Sequence, residues 1–155
     1  MPGLEDLYRE IILDHYRNPR NRGELEVPPA HAETGFNPLC GDEITVYLQV
    51  DDGVVRDIKL TGQGCSISQS SASMMSTAVK GRTLAEARAV IRTFKAMMSV
   101  HEARLDGGEA AADLEMPLGD LEALQGVVKF PVRIKCATLS WNTLTQALDA
   151  VDQPA

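Results

Sequence analysis

Three cysteines, one tryptophan and 5% aromatic residues are all that this 155-residue chain offers of the residue types that build disulfide frameworks and stacking platforms. An odd cysteine count with no secretory segment argues against a disulfide scaffold, and in a reducing compartment thiols are kept for metal binding or thiol chemistry. Scarce aromatics leave few surfaces on which single-stranded bases could stack. Basic residues are also in the minority: 15 Lys and Arg against 22 Asp and Glu give a net charge of -7. A phosphate backbone needs clustered basic groups, so no nucleic-acid partner is expected. No apolar run approaches the roughly 18 residues of a membrane span, and Met1 to Asp6 lead into a helix studded with charges. The sequence therefore reads as a soluble, cytoplasmic protein with no membrane partner. What it does have is 44% hydrophobic residues, enough for one core, and residues 1–155 are expected to form a single domain.

Leu4, Leu7, Tyr8, Ile11 and Ile12 recur at helical spacing and predict a helix over 4–17, stopped by Asn18-Pro19. Residues 20–39, with Gly23, Pro28-Pro29, Gly35 and Asn37-Pro38, read as a loop or extended connection. Ile44, Val46, Leu48 and Val50 alternate with residues of the opposite face, and Asp51-Asp52-Gly53 supplies hairpin-turn chemistry before a strand from Val54 to Thr61. After Gly62-Gln63-Gly64 the period becomes helical, with an unusually small, serine-rich face, until Lys80-Gly81. Thr83 and Glu86 form a capping-box pattern ahead of a helix marked by Leu84, Ala87, Ile91, Phe94 and Met98. Residues 101–120, with Gly107-Gly108 and six acids, read as a solvated loop, and Leu121 to Gln125 as a short helix. Ile134, Ala137, Trp141, Leu144 and Leu148 trace one face of a closing helix. A helix, a small sheet, then helices is the order of an α+β domain.

The cysteines sit where elements begin or end: Cys40 in Leu39-Cys40-Gly41-Asp42, Cys65 after Gly64, and Cys136 in the first turns of the last helix. Three thiolates and the carboxylate of Asp42 make a complete tetrahedral set for zinc. Cys40 and Asp42 would point to one side if the backbone between them is extended. There is no Cys-x-x-Cys knuckle, and buried cysteine often acts as a small hydrophobe, so spacing leaves inert thiols, a shared metal or a thiol site all open. Position favours use of the set, because a helix N-terminus at Cys65 stabilises a thiolate. Arg133 and Lys135 flank Cys136 on an acidic chain and are candidates for a docking rim, the alternative being a solvated helix end. His15 at the end of a surface helix, His31 in the proline-rich loop and His101 after a helix are read as non-ligands. Met74, Met75, Met97 and Met98 are read as core. Gly62-x-Gly64 is too short for a nucleotide fingerprint, so no nucleotide cofactor is expected.

Cys40-Gly41-Asp42, Gly62 to Ser68 and the run Lys129-Phe130-Pro131-Val132-Arg133-Ile134-Lys135-Cys136-Ala137 together resemble the iron-sulfur assembly proteins of the IscU/NifU N-terminal family. The opening helix, with Tyr8 and His15-Tyr16-Arg17-Asn18-Pro19, extends the likeness from about residue 4 to residue 148. General scaffold members carry histidine where this chain has Lys135, and the stretch from about residue 99 to 120 looks like an insertion. Both features resemble the SufU subgroup. The resemblance implies a small antiparallel sheet packed against several helices, with Zn2+ held by Cys40, Asp42, Cys65 and Cys136. It implies that Cys40 is the catalytic residue, accepting persulfide sulfur from a SufS-type cysteine desulfurase for relay to downstream iron-sulfur assembly proteins. The alternative is a scaffold on which the same four groups carry a transient [2Fe-2S] cluster. Lys135 and the inserted segment count against it.

Overall fold

The computed structural model describes residues 2–27, 29–38, 41–105, 121, 123–124 and 131–152, with the backbone alone described for 2–8, 99–105, 131–132 and 152. Cys40, the expected loop over 106–120 and the end of the short helix at Gln125 lie outside the described residues. Helix α1 (Pro2–Arg17) ends where expected: Asn18 N donates to Asp14 O at 2.8 Å, and Pro19 has no N–H to continue the ladder. The expectation of a surface histidine at its end fails. His15 is 3% exposed, with Nδ1 2.8 Å from Ser73 Oγ, because α1 lies on the small-residue face of the second helix, where a large polar side chain finds a hydroxyl partner.

The sheet has three antiparallel strands in the order β1-β2-β3. β2 (Asp42–Asp51) and β3 (Val54–Gln63) form the expected hairpin. Its turn residues Asp52 and Gly53 have φ of 53° and 72°, the left-handed pair that matches the twist of the flanking strands. Ile44, Val46 and Leu48 face the core, as do Val55, Ile58 and Leu60; the odd spacing of Val55 and Ile58 is absorbed by a register irregularity beside Gln49 and Val50. β1 (His31–Asn37) corrects the loop reading of residues 20–39 and places His31 in a strand. Glycine and proline suggested a connection, yet Gly35 is needed for packing: a Cβ there would run into Thr143 and Leu139 of the last helix. Across the ladder Thr34 and Thr45 hydroxyls bond at 2.9 Å.

Helix α2 (Ser66–Val79) buries Ser68, Ser70, Ser71, Ser73 and Ser76, which is tolerable because their hydroxyls find partners. Ser71 Oγ donates to Ala137 O at 2.6 Å and accepts from Trp141 Nε1 at 3.0 Å. Helix α3 (Leu84–Leu105) opens on the expected capping box, Thr83 N to Glu86 Oε1 at 3.0 Å and Glu86 N to Thr83 Oγ1 at 3.1 Å. It runs through His101 to Leu105, so that the first residues expected in a loop are helical and His101 lies within the helix. Helix α4 (Pro131–Asp152) closes the core, where Trp141 stacks on Phe94 with centroids 4.2 Å apart. Met74, Met75, Met97 and Met98 are buried there, as expected, with Leu121, Ala123 and Leu124 contributing from a helical turn. The sheet thus packs one face on α2 and α4, and the end of β1 and the starts of β2, α2 and α4 meet at one edge of that layer.

Candidate metal centre

At that edge the first residue of β2, the residue before α2 and the second turn of α4 converge. A carboxylate oxygen of Asp42 and the sulfurs of Cys65 and Cys136 all lie within 4.8 Å of one another. Asp42 is 1% exposed and Cys136 is fully buried, while Cys65 is half-buried. Asp42 Oδ1 accepts the Cys65 backbone N–H at 2.9 Å, which ties β2 to the N-terminus of α2 and leaves Oδ2 3.9 Å from Cys65 Sγ. The carboxylate therefore does the work of a helix cap from a neighbouring strand. Cys65, in extended conformation at the cap position, makes no capping bond with its own side chain, so the sulfur remains directed to the cluster.

The two glycines before Cys65 are packing elements. Gly62 has φ 143° and presses on the backbone of Glu43 and Ile44, while a Cβ on Gly64 would strike the Asp42 carboxylate and Ser68 Oγ. Arg22 clamps the same segment, Nη2 donating to Gly62 O at 2.7 Å and Nη1 to Gln69 Oε1 at 2.8 Å. Arg133, exposed, lies beside both sulfurs, and the electrostatic influence of Cys65 foremost, then the neighbouring Cys136 sulfur, raises the guanidinium pKa above its ordinary value. Lys135 is exposed beside it. From the buried side Asn37 Nδ2 donates toward Cys136 Sγ at 3.9 Å.

Of the four expected ligands the fold brings together Asp42, Cys65 and Cys136. The extended backbone assumed between Cys40 and Asp42 is not found: Gly41 has φ 70° and its N–H bonds Asn37 O at 2.9 Å, closing a turn. Asn37 and Arg22 were not singled out by sequence. Their contacts join residues far apart in the chain, and the one local signal was an asparagine just ahead of Pro38.

The donor set suits a cation. Two sulfurs and a carboxylate gathered in a largely buried space repel one another if ionised, unless a positive charge lies between them. Zinc–sulfur bonds of about 2.3 Å at tetrahedral angles place two sulfurs about 3.8 Å apart, so donors within 4.8 Å need only a small contraction. Asp42, Cys65 and Cys136 can hold a metal ion.

Residues 7–137 match the NifU-like N terminal domain, and the chain belongs to that family. It is 46% identical to the zinc-dependent sulfurtransferase SufU of Bacillus subtilis over 94% of this chain and 91% of that protein. It is 40% identical to the iron-sulfur cluster assembly scaffold protein IscU of Streptococcus pyogenes, over 94% of this chain and 84% of that one. Among solved structures, a candidate iron-sulfur cluster assembly scaffold protein for the SUF system from Fervidobacterium islandicum superposes with a TM-score of 0.70 at 34% identity, covering 90% of this chain and 94% of that one. No helix among the described residues is long and apolar enough to cross a membrane.

Proposed function

We propose that this chain is a zinc-dependent sulfur acceptor, taking persulfide sulfur from a SufS-type cysteine desulfurase and relaying it to downstream iron-sulfur assembly proteins. The observation that carries the reading is the convergence of Asp42, Cys65 and Cys136 in a chain 46% identical to a zinc-dependent sulfurtransferase. Zinc bound by these three with Cys40 as fourth ligand would keep the thiolates unprotonated and bring no redox chemistry of its own. The protein acts as one domain in the cytoplasm.

Cys40 is the acceptor in this reading. Its thiolate attacks the outer sulfur of the partner's persulfide, a new sulfur–sulfur bond forms at Cys40, and the bond from that sulfur to the partner cysteine breaks. The partner cysteine leaves as a thiolate, so no external oxidant or reductant is consumed. In sequence Cys40 stands between Pro38 and Gly41, ahead of β2. Cys65 and Cys136 belong to helix starts, which hold them in place. Arg133 and Lys135 supply a positive docking rim on a chain of net charge -7, steering an acidic surface of the partner toward the sulfurs.

The test combines elemental analysis of the purified protein with desulfurase and cysteine, followed by peptide mass spectrometry. About one zinc per chain, persulfide on Cys40 and loss of transfer in Cys40→Ser are expected. Stoichiometric iron with acid-labile sulfide and little zinc would move the protein to the scaffold class. Persulfide on Cys65 or Cys136 with active Cys40→Ser would reassign the acceptor.

A further inference from the structure

Asn37, the last residue of β1 and 6% exposed, touches the centre in three ways. Its Cα pairs with that of Asp42 across the ladder. Its carbonyl accepts the Gly41 N–H at 2.9 Å, which closes the turn within which Cys40 falls in sequence. Its amide Nδ2 reaches toward Cys136 Sγ at 3.9 Å. An apolar residue could end the strand equally well, and burying an amide costs free energy unless its groups are bonded. An amide N–H aimed at sulfur is useful when the sulfur is a thiolate, a far better acceptor than a thiol.

Resting on the reading of Asp42, Cys65 and Cys136 as metal ligands, we propose that Asn37 is a positioning residue that makes Cys136 the retained, unreactive sulfur of the centre. Donation from N–H withdraws charge from the thiolate, which lowers its nucleophilicity and fixes its direction, as partners behind metal ligands do. Arg133 lies on the exposed side of Cys65 and Cys136; Asn37 reaches Cys136 from the buried side. Cys65 and Cys136 are equivalent as thiolate donors, and the amide of Asn37 at Cys136 makes them unequal as nucleophiles, while its carbonyl holds the N–H of Gly41 beside Asp42.

The probe is Co2+ alone, loaded into the full chain, with Asn37→Leu removing the donor while keeping the branched shape of the side chain and Asn37→Asp replacing the donor by a charged acceptor. Affinity, read by chelator competition, falls about 10- to 100-fold for Asn37→Leu and further for Asn37→Asp. The sulfur-to-cobalt charge-transfer band moves to lower energy, because the sulfur lone pairs are no longer stabilised. Iodoacetamide labelling of the loaded protein, mapped by peptide, spreads from Cys40 to Cys136. If Asn37→Leu does not fold, Asn37→Ser, smaller and too short to reach the sulfur, gives the same readouts. A folded variant with an unmoved band overturns the proposal whatever its labelling, since a purely structural residue would lower the melting temperature and could expose the buried Cys136 sulfur but would leave the band unchanged. Failure of the wild type to show a thiolate–cobalt band at all would instead strike the metal-site reading beneath it.

Discussion

Replacing Gly64 by alanine probes the tightest contact of the centre with a single methyl group. The backbone at Gly64 is accessible to alanine, so the effect is steric. The added Cβ would lie 2.9 Å from Asp42 Cγ and 2.5 Å from Ser68 Oγ, whereas carbon atoms rest about 3.5–4.0 Å apart. The Asp42 carboxylate must therefore retreat by about 0.6–1 Å, which stretches the 2.9 Å bond it accepts from Cys65 N. A hydrogen bond to a charged acceptor is worth about 1.5–3 kcal/mol, and the reduced freedom of the unfolded alanine chain returns about 0.4–1 kcal/mol. A net loss of about 1–2 kcal/mol corresponds to a roughly 5- to 30-fold shift of the folding equilibrium. Metal affinity should fall by about 10- to 100-fold as the carboxylate leaves its position. Thermal melting of metal-free protein reads the first quantity, and chelator competition at fixed ionic strength the second. Gly64→Ala with wild-type values of both would mean that Asp42 does not occupy the place beside Cys65 on which the description of the centre depends.

Cys136→Ser should lose metal outright, since it removes a buried donor; retention of one equivalent of zinc would exclude Cys136 from the ligand set. Chelation should lower the melting temperature, because metal joining β2, α2 and α4 adds about 4 kcal/mol when present at a thousand times its dissociation constant; coincident melting curves would uncouple the site from the fold. Arg133→Ala should weaken desulfurase binding most at low salt with zinc content unchanged, and a binding constant insensitive to the change would remove Arg133 from the docking rim. Ser140 Oγ is buried with no hydrogen-bond partner among the described residues, so Ser140→Ala should stabilise by about 1 kcal/mol, and a lower urea midpoint would show that the hydroxyl is bonded in solution.

The hairpin was legible because Asp52-Gly53 satisfies a local conformational demand, and α3 because its cap is written in four consecutive residues. β1 was not. Its glycine obeys packing against α4, a demand set by residues about a hundred positions away. The centre divides in the same way. Asp42, Cys65 and Cys136 were visible as chemistry-bearing residues at element boundaries, and the family resemblance joined them. Asn37, 99 residues from Cys136, has no sequence signal beyond its type, since an asparagine before proline ordinarily marks a turn. His15 was misplaced for a related reason: the serine face of α2 that buries it also reads, residue by residue, as solvent-facing.

Trp141 is the chain's one tryptophan, and its environment makes it a built-in fluorophore for this architecture. The indole is fully buried, stacked on Phe94 of α3, with its N–H on Ser71 of α2. Ser71 in turn bonds the carbonyl of Ala137, the residue after Cys136. Since Cys65 precedes α2 and Cys136 lies in α4, any slackening between those helices when the cysteines lose their shared partner acts directly on the hydrogen bond at the indole nitrogen. Emission intensity and wavelength, recorded on unlabelled protein in a stopped-flow mixer, can thus time the loosening of the helix pair against the departure of metal.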